Sequence, residues 1–217
     1  MAPVRNAVNP SQECGPSSLA LTAVFFNLDR MLIDEGPIMG MLDNIHWLGH
    51  ASFKVTGPLT VYIDPWNVSE THDADIVLVT HDHYDHLSVD DVARVAKPDA
   101  VVVAPPGTEG KIGPTGLSFQ PLGPGQTATV KGMAVEAVAA YNPAKPFHPS
   151  SNGWNGYVFT LGDTRIYHAG DSDLTPEMQR VTADIVLLPV GGKFTMDAGE
   201  AARAVQAIRP KAAIPMH

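Results

Sequence analysis

One six-residue segment concentrates side chains that bind metal ions. Residues 81–86 read His-Asp-His-Tyr-Asp-His, and they follow an apolar, β-branched run over residues 75–80 that predicts a buried strand. Imidazole nitrogens and carboxylate oxygens are ligands for zinc, manganese and iron(II). The alternative interpretation is a polar surface loop, which so dense a group of histidines disfavours. The segment therefore predicts a metal site.

Three further candidate ligands occupy comparable positions in the sequence. His148, Asp171 and His217 each follow a short predicted strand, and open α/β sheets place their sites beyond the carboxyl ends of strands. Taken singly, a histidine is more often a hydrogen-bonded structural residue, and a Gly-Asp pair is usually a turn. Taken with residues 81–86, the three complete ligand sets for two metal ions.

The elements that must position these side chains are mostly strands. Short apolar runs predict strands over residues 45–48, 52–56, 59–63, 76–80, 100–104, 128–130, 134–141, 157–161, 165–168, 185–190 and 212–215. Two predicted capping boxes, at residues 88–91 and 197–200, each begin a helix, and the first helix ends before Pro98. The order is many strands followed by alternating strands and helices.

The first 40 residues differ from the rest. They contain several prolines, few charges and one predicted short helix over residues 18–32. We divide the chain into an N-terminal extension, residues 1–40, and one domain, residues 41–217. Two interpretations of the extension stay open: an added or misplaced start, and a native helix that packs on the domain.

Composition limits the class of protein. The chain has 217 residues, of which 44% are hydrophobic and 17% charged, which predicts a globular fold with a substantial core. A net charge of -9 disfavours nucleic-acid and anionic-membrane partners. A single cysteine, Cys14, excludes an intrachain disulfide and a thiolate metal cluster. The apolar run over residues 19–26 is too short for a membrane span and lacks the flanks of a signal peptide, so we expect a cytoplasmic protein.

The combined segments resemble the metallo-β-lactamase fold superfamily, in its metal-dependent hydrolase branch near the ascorbate-6-phosphate lactonase-like proteins. The resemblance extends from about residue 45 to residue 217, and its specific segments are residues 47–52, 63–65, 81–86, 142–156, 168–173, 188–192, 194–196 and 214–217. It implies an α/β fold, the αββα four-layer sandwich. Family members generally continue beyond the last histidine, so we expect this chain to lack the usual C-terminal segment. We also expect its second metal site to be less well ordered.

The resemblance also assigns the ligands. The residues that resemble the ligands of one metal are His81, His83 and His148. Those that resemble the ligands of the second are Asp85, His86 and His217, and Asp171 resembles a bridging carboxylate.

Further residues are expected around the metals. Asp64 resembles an acid that braces the metal loop from behind. His50 either holds a substrate oxygen or is structural, and His168 is favoured as a hydrogen-bonding support over a metal ligand. Lys145 is either an anion-binding residue or a solvated loop lysine, and Trp154 either walls the site or packs in the core.

These residues predict a dinuclear metal-dependent hydrolase. Two divalent ions, zinc first, with manganese or iron as alternatives, would share a bridging hydroxide that attacks a small ester, lactone or phosphoester. Asp85 and Asp171 would offset part of the positive charge. The expected partner is a small-molecule substrate, and the oligomeric state stays open. Two alternatives remain: a metal-binding, catalytically weak or truncated member of the fold, and a nuclease, which the acidic net charge opposes.

Overall fold

The computed structural model describes residue 40, residues 42–70 and residues 72–217. Its first sheet has six strands in sequence order, β1 to β6: Ile45–Gly49, Ser52–Val55, Val61–Ile63, Ala74–Leu78, Ala96–Ala104 and Ser118–Pro121. Strands β1, β2 and β3 pair antiparallel, and β3 to β6 pair parallel. The predicted helix at residues 18–32, and all of the predicted extension except residue 40, lie outside the described residues.

The second sheet also has six strands. Strands β7 to β12 are Thr127–Val130, Met133–Ala139, Asn155–Leu161, Thr164–His168, Ile185–Pro189 and Ala212–Met216. They lie side by side in sequence order, with β7 and β12 at the two edges of the sheet. Strands β7 to β10 pair antiparallel, whereas β10, β11 and β12 run parallel. The carboxyl ends of the parallel strands β4, β10 and β12 lead into residues 81–86, Asp171 and His217, whereas His148 follows the antiparallel strand β8.

The core lies between the two sheets. In β9, Tyr157, Phe159 and Leu161 point into this layer, whereas Val158 packs on the outer face. Successive strand residues alternate between faces, so a strand covered on both sides is apolar throughout. This explains why the inner strands appear in the sequence as continuous apolar runs.

Helices cover the two outer faces. Helix α1 (Val89–Val95) packs on the first sheet, and α3 (Ala198–Ile208) packs on the second; a short α2 spans Glu109–Ile112. The four layers confirm the predicted αββα sandwich. Within the described ranges, no helix is long and apolar enough to cross a membrane.

Only one of the two hydrogen bonds of the predicted capping box forms at the start of α1. Ser88 accepts a hydrogen bond from the Asp91 backbone N–H, but the Asp91 carboxylate instead accepts from the Asn67 backbone N–H and pairs with Arg94. A capping box needs the longer side chain of Glu or Gln to reach back. In α3 Glu200 supplies it, and the box with Asp197 is complete.

Candidate metal centre

The first ligand set gathers His81, His83 and His148, whose ligand nitrogens lie within 4.8 Å of one another. His81 Nε2 is 3.0 Å from His83 Nδ1, and His81 and His148 are buried. Burial lowers the pKa of His81 well below its usual range and so favours the neutral form that binds metals. The structure thus brings together the three residues predicted for one metal.

Neighbouring side chains orient these imidazoles. The Thr80 hydroxyl lies 3.0 Å from His81 Nδ1, and the Asn142 side-chain oxygen lies 2.6 Å from His148 Nδ1. His148 Nδ1–H therefore donates to Asn142, which leaves Nε2 with its lone pair towards the set. The Trp154 ring packs against all three imidazoles, with centroids 4.7 to 5.5 Å away.

The second ligand set comprises His50, His86 and His217, again within 4.8 Å. The rings of His50 and His217 lie 4.3 Å apart, and the His217 backbone N–H donates to the His50 carbonyl. Sequence reasoning predicted His86 and His217 for this set but gave His50 only a supporting or substrate-holding role.

Asp171 lies between the two sets. Its Oδ1 is 3.3 Å from His86 Nε2, and its Oδ2 is 3.4 Å from His148 Nε2 and 3.1 Å from His217 Nε2. Burial alone would raise the pKa of Asp171, but His86, and then His148 and His217, hold it well below its usual range. The carboxylate is therefore charged and contacts both sets, which is the position expected of a bridging ligand.

Asp64 supports the site from behind. It is fully buried; its Oδ1 accepts from the Thr80 backbone N–H at 2.7 Å, and its Oδ2 accepts from the Thr80 hydroxyl at 2.6 Å. The same Oδ2 lies 2.8 Å from His86 Nδ1. Burial opposes a charge on His86, yet Asp171 and Asp64 together raise the pKa of His86 to about 10. A metal ion at His86 Nε2 would accordingly displace a proton.

Three of the seven non-glycine residues with positive φ in the described part of the chain lie in or beside the second set. His50, Asp64 and His217 adopt positive φ angles of 51°, 44° and 68°, a region that non-glycine residues rarely occupy. Such conformations cost roughly 1–3 kcal/mol each and persist where the surroundings over-determine them, chiefly at functional sites.

The residues fit a divalent cation. His86 Nε2, His148 Nε2 and Asp171 Oδ1 are buried and, among the described residues, have no hydrogen-bond partner. Buried polar atoms almost always make well-aligned hydrogen bonds, so three that lie 3.3 to 3.4 Å from neighbouring polar atoms without forming one need an explanation. Cations coordinated by these atoms would satisfy all three.

Two other predicted residues lie at the edge of the centre. Asp85 Oδ2 is 3.6 Å from His50 Nε2, so Asp85 borders the second set but is absent from the ligand groups found in the described chain. Its place as a second-metal ligand stays a prediction. His168 uses both ring nitrogens on the backbone: Gly170 N–H donates to Nδ1, and Nε2–H donates to the Ala51 carbonyl.

Sequence reasoning missed some supporting residues. Thr80 and Asn142 were not assigned as partners of ligands, and Trp154 was favoured as a core residue. Lys145, considered as an anion-binding residue, instead donates at 2.7 Å to both Asp173 Oδ1 and the Thr195 carbonyl. The position of Thr80 directly before His81 could have indicated its role as a hydrogen-bond partner. The pairing of Lys145 with Thr195 spans 50 residues, so no local sequence pattern indicates it.

Comparisons with known proteins identify the family of the chain. The family described as the beta-lactamase superfamily domain matches residues 44–217. A metal-dependent hydrolase of Aeropyrum pernix is 37% identical over 198 residues, covering 79% of this chain and 80% of that protein. One of Hyperthermus butylicus is also 37% identical, over 192 residues, covering 80% and 82%.

Solved structures show the same fold. A protein of Parabacteroides distasonis, named with the metal-dependent hydrolases, aligns with a TM-score of 0.69 at 33% identity, covering 77% of this chain and 78% of its own. A metallo hydrolase of Ignicoccus hospitalis aligns with a TM-score of 0.66 at 26% identity, covering 80% and 81%.

Proposed function

The chain belongs to the beta-lactamase superfamily, among its metal-dependent hydrolases, and from this premise we propose that it hydrolyses a small ester, lactone or phosphoester with two divalent metal ions. The observation that carries the proposal is the position of Asp171, whose two oxygens face histidines of both ligand sets. A single-metal site would need one set only. The finer resemblance to ascorbate-6-phosphate lactonase-like proteins stays a prediction.

Each group of side chains has a defined task. His81, His83 and His148 would hold the first ion, and His86 and His217 would hold the second, with His50 or Asp85 completing that set. Asp171 belongs to both. When bound, two such ions lower the pKa of a shared water and polarise the substrate oxygen. We propose zinc, because these nitrogen and oxygen ligands suit it, although they also accept manganese and iron.

The protein supplies orientation and charge. Asp64 and Asn142 fix the ring positions of His86 and His148, so that each Nε2 faces the centre. Asp171, and Asp85 beside it, offset part of the cationic charge. Trp154 covers the imidazoles of the first set and limits their access to water.

The test is turnover of a carboxylic ester, a lactone and a phosphodiester by zinc- or manganese-loaded protein. We expect His83→Ala to abolish activity and His46→Ala to preserve it, because His46 is exposed on β1. Metal binding without turnover of any substrate class would favour the catalytically weak alternative. Turnover that survives His83→Ala would overturn the proposal.

A further inference from the structure

Exposed aromatic rings accompany the loops of the metal centre. Within the described residues, the exposed large apolar side chains are Trp47, Tyr84, Phe147 and Phe194. Tyr84 lies between His83 and Asp85, Phe147 directly precedes His148, and Phe194 lies in the segment between β11 and α3. Apolar side chains left in water around a polar site are typical of a surface that binds a ligand.

The first pair of rings belongs to the first sheet. Tyr84 is 76% exposed and forms an edge contact with Trp66, with centroids 6.2 Å apart. Trp66 in turn contacts the His50 ring at 5.3 Å. This pair therefore adjoins the second ligand set.

The second pair belongs to the second sheet. Phe147 and Phe194 form an edge contact at 4.7 Å, and each is about two-fifths exposed. The Phe194 segment is attached to the centre at Gly191, where an added Cβ would lie 3.0 Å from the His217 carbonyl oxygen. The rings of His83 and His148 lie 5.2 Å apart, so their chain neighbours Tyr84 and Phe147 flank the first ligand set, one from each sheet.

The charges nearby favour an uncharged substrate. Lys145 is paired with Asp173, and Lys111 donates to both the carboxylate and the carbonyl of Asp82. Both lysines are therefore occupied rather than available to a phosphate group. Lys193 is exposed, and its ammonium group lies over the Phe194 ring, 4.8 Å from the ring centroid. The pairing of Lys111 and Lys145, together with the acidic net charge of the chain, favours an uncharged substrate over an anionic one.

We infer that Tyr84, Phe147 and Phe194 form an aromatic rim that binds the alkyl or aryl group of an uncharged carboxylic ester. This inference rests on the proposed function and names its substrate class. Hydrolysis adds the oxygen of water to the acyl carbon and breaks the bond from that carbon to the leaving alcohol oxygen. One proton of the water ends on the alcohol, and the other is released with the carboxylate. The rim binds the chain attached to the acyl carbon and takes no part in these steps.

The experiment uses p-nitrophenyl acetate, butyrate, hexanoate and octanoate with the zinc-loaded full chain. We expect kcat/KM to rise at least about tenfold from acetate to octanoate, because the six added methylenes lose part of their contact with water at the rim. The double variant Phe147→Ser with Phe194→Ser should reduce that rise to less than about twofold while its zinc content stays unchanged. The matched double variant with leucine at both positions should retain most of the rise.

Direct binding separates this inference from the proposed function. Calorimetric titration of the zinc-loaded protein with acetate and octanoate should show octanoate binding more tightly, with the difference lost in the serine variant. If no ester is hydrolysed but the wild type still binds octanoate more tightly than acetate, the proposed function fails and the inference of an aromatic rim is supported. An unchanged chain-length dependence in the serine variant would overturn the rim. The rim would also be overturned if the wild type formed a dimer that the serine substitutions dissociate while the chain-length dependence stays the same.

Discussion

At the residue scale, the orientations of His81, His86 and His148 each depend on one buried partner, and Asp64, the partner of His86, is the most informative. The substitution Asp64→Asn keeps the shape but removes the charge that faces His86 and Thr80. We expect metal affinity to fall by about 10- to 100-fold, as for other residues that hold metal-binding histidines. Competition with a chromogenic chelator measures this affinity.

The control for Asp64→Asn is the same substitution at another site. Asp75 lies at the start of β4 and pairs with Lys97 and the Thr60 backbone, away from both ligand sets. Asp75→Asn should leave metal affinity unchanged. Equal affinities for Asp64→Asn and the wild type would show that Asp64 does not support the ligands.

Lys145 connects three segments that surround the centre. Its ammonium group donates to Asp173, two residues beyond Asp171, and to Thr195, while the lysine itself lies three residues before His148. Lys145→Met would leave the buried Asp173 carboxylate unpaired, at a cost of about 2 kcal/mol in the free energy of unfolding. We also expect weaker metal binding, because Lys145 would no longer hold the segment before His148 against the segment after Asp171.

Urea denaturation and chelator competition measure the two effects of Lys145→Met. Lys97→Met, which removes an ion pair outside the centre, is the matched control and should lower stability without altering metal affinity. A Lys145→Met variant that binds metal as tightly as the control would contradict the positioning role of Lys145.

Some of the ligands can be predicted from the sequence, whereas others cannot. The spacing of residues 81–86 predicts that His81 and His83 leave one strand together, and the resemblance adds His148 to complete the first ligand set. His50 could not be assigned in the same way. Its place beside His217 depends on a backbone contact between the two sheets and on a positive φ angle, neither of which has a sequence pattern.

At the element scale, capping hydrogen bonds stabilise the first turns of the helices that form the outer layers. Asp197 forms a complete capping box with Glu200 at the start of α3, which covers the second sheet. Asp197→Ala should lower the free energy of unfolding by about 1 kcal/mol. Ser88→Ala should cost less, because α1 has only half of its box. Urea denaturation compares the two variants, and a larger loss for Ser88→Ala would contradict this ranking.

The junction of β3 and β4 gives a pH-dependent prediction. Burial alone would raise the pKa of Asp75, but the Lys97 ammonium and the Thr60 backbone N–H outweigh it and lower that pKa. A carboxyl group with a lowered pKa stabilises the folded state above its unfolded pKa, and this contribution is lost as the pH falls through the folded value. Asp75→Asn should thus cost about 1 kcal/mol at pH 7 and progressively less below about pH 4.

The measurement is urea denaturation of the wild type and Asp75→Asn between pH 7 and pH 3. A difference that stays constant over this range would exclude the charge of Asp75 as its cause.

Elements were predictable where their pattern was local. Apolar runs located eleven strands to within a few residues, and parallel strand ends located most candidate ligands. Strand β6, Ser118–Pro121, was missed because its residues are exposed or half-buried and it ends in proline, so no apolar run marks it. It forms because it pairs with the edge of β5.

At the scale of the whole molecule, the centre exists only where the two sheets meet. The first sheet contributes His50, Asp64 and residues 81–86, and the second contributes His148, Asp171 and His217. Neither half holds a complete centre, so both sheets must be in place before either ligand set is complete. The sequence could not predict this contact, because its partners are up to 167 residues apart, as in the His217–His50 backbone bond.

The central claim is that two metal ions share Asp171, and metal content per chain tests it most directly. Inductively coupled plasma mass spectrometry should find about two equivalents in protein purified without chelators and then loaded with zinc. His83→Ala and His217→Ala should each retain about one, because each removes a ligand of a different set. One equivalent in the wild type, even after loading with zinc or manganese, would contradict the claim.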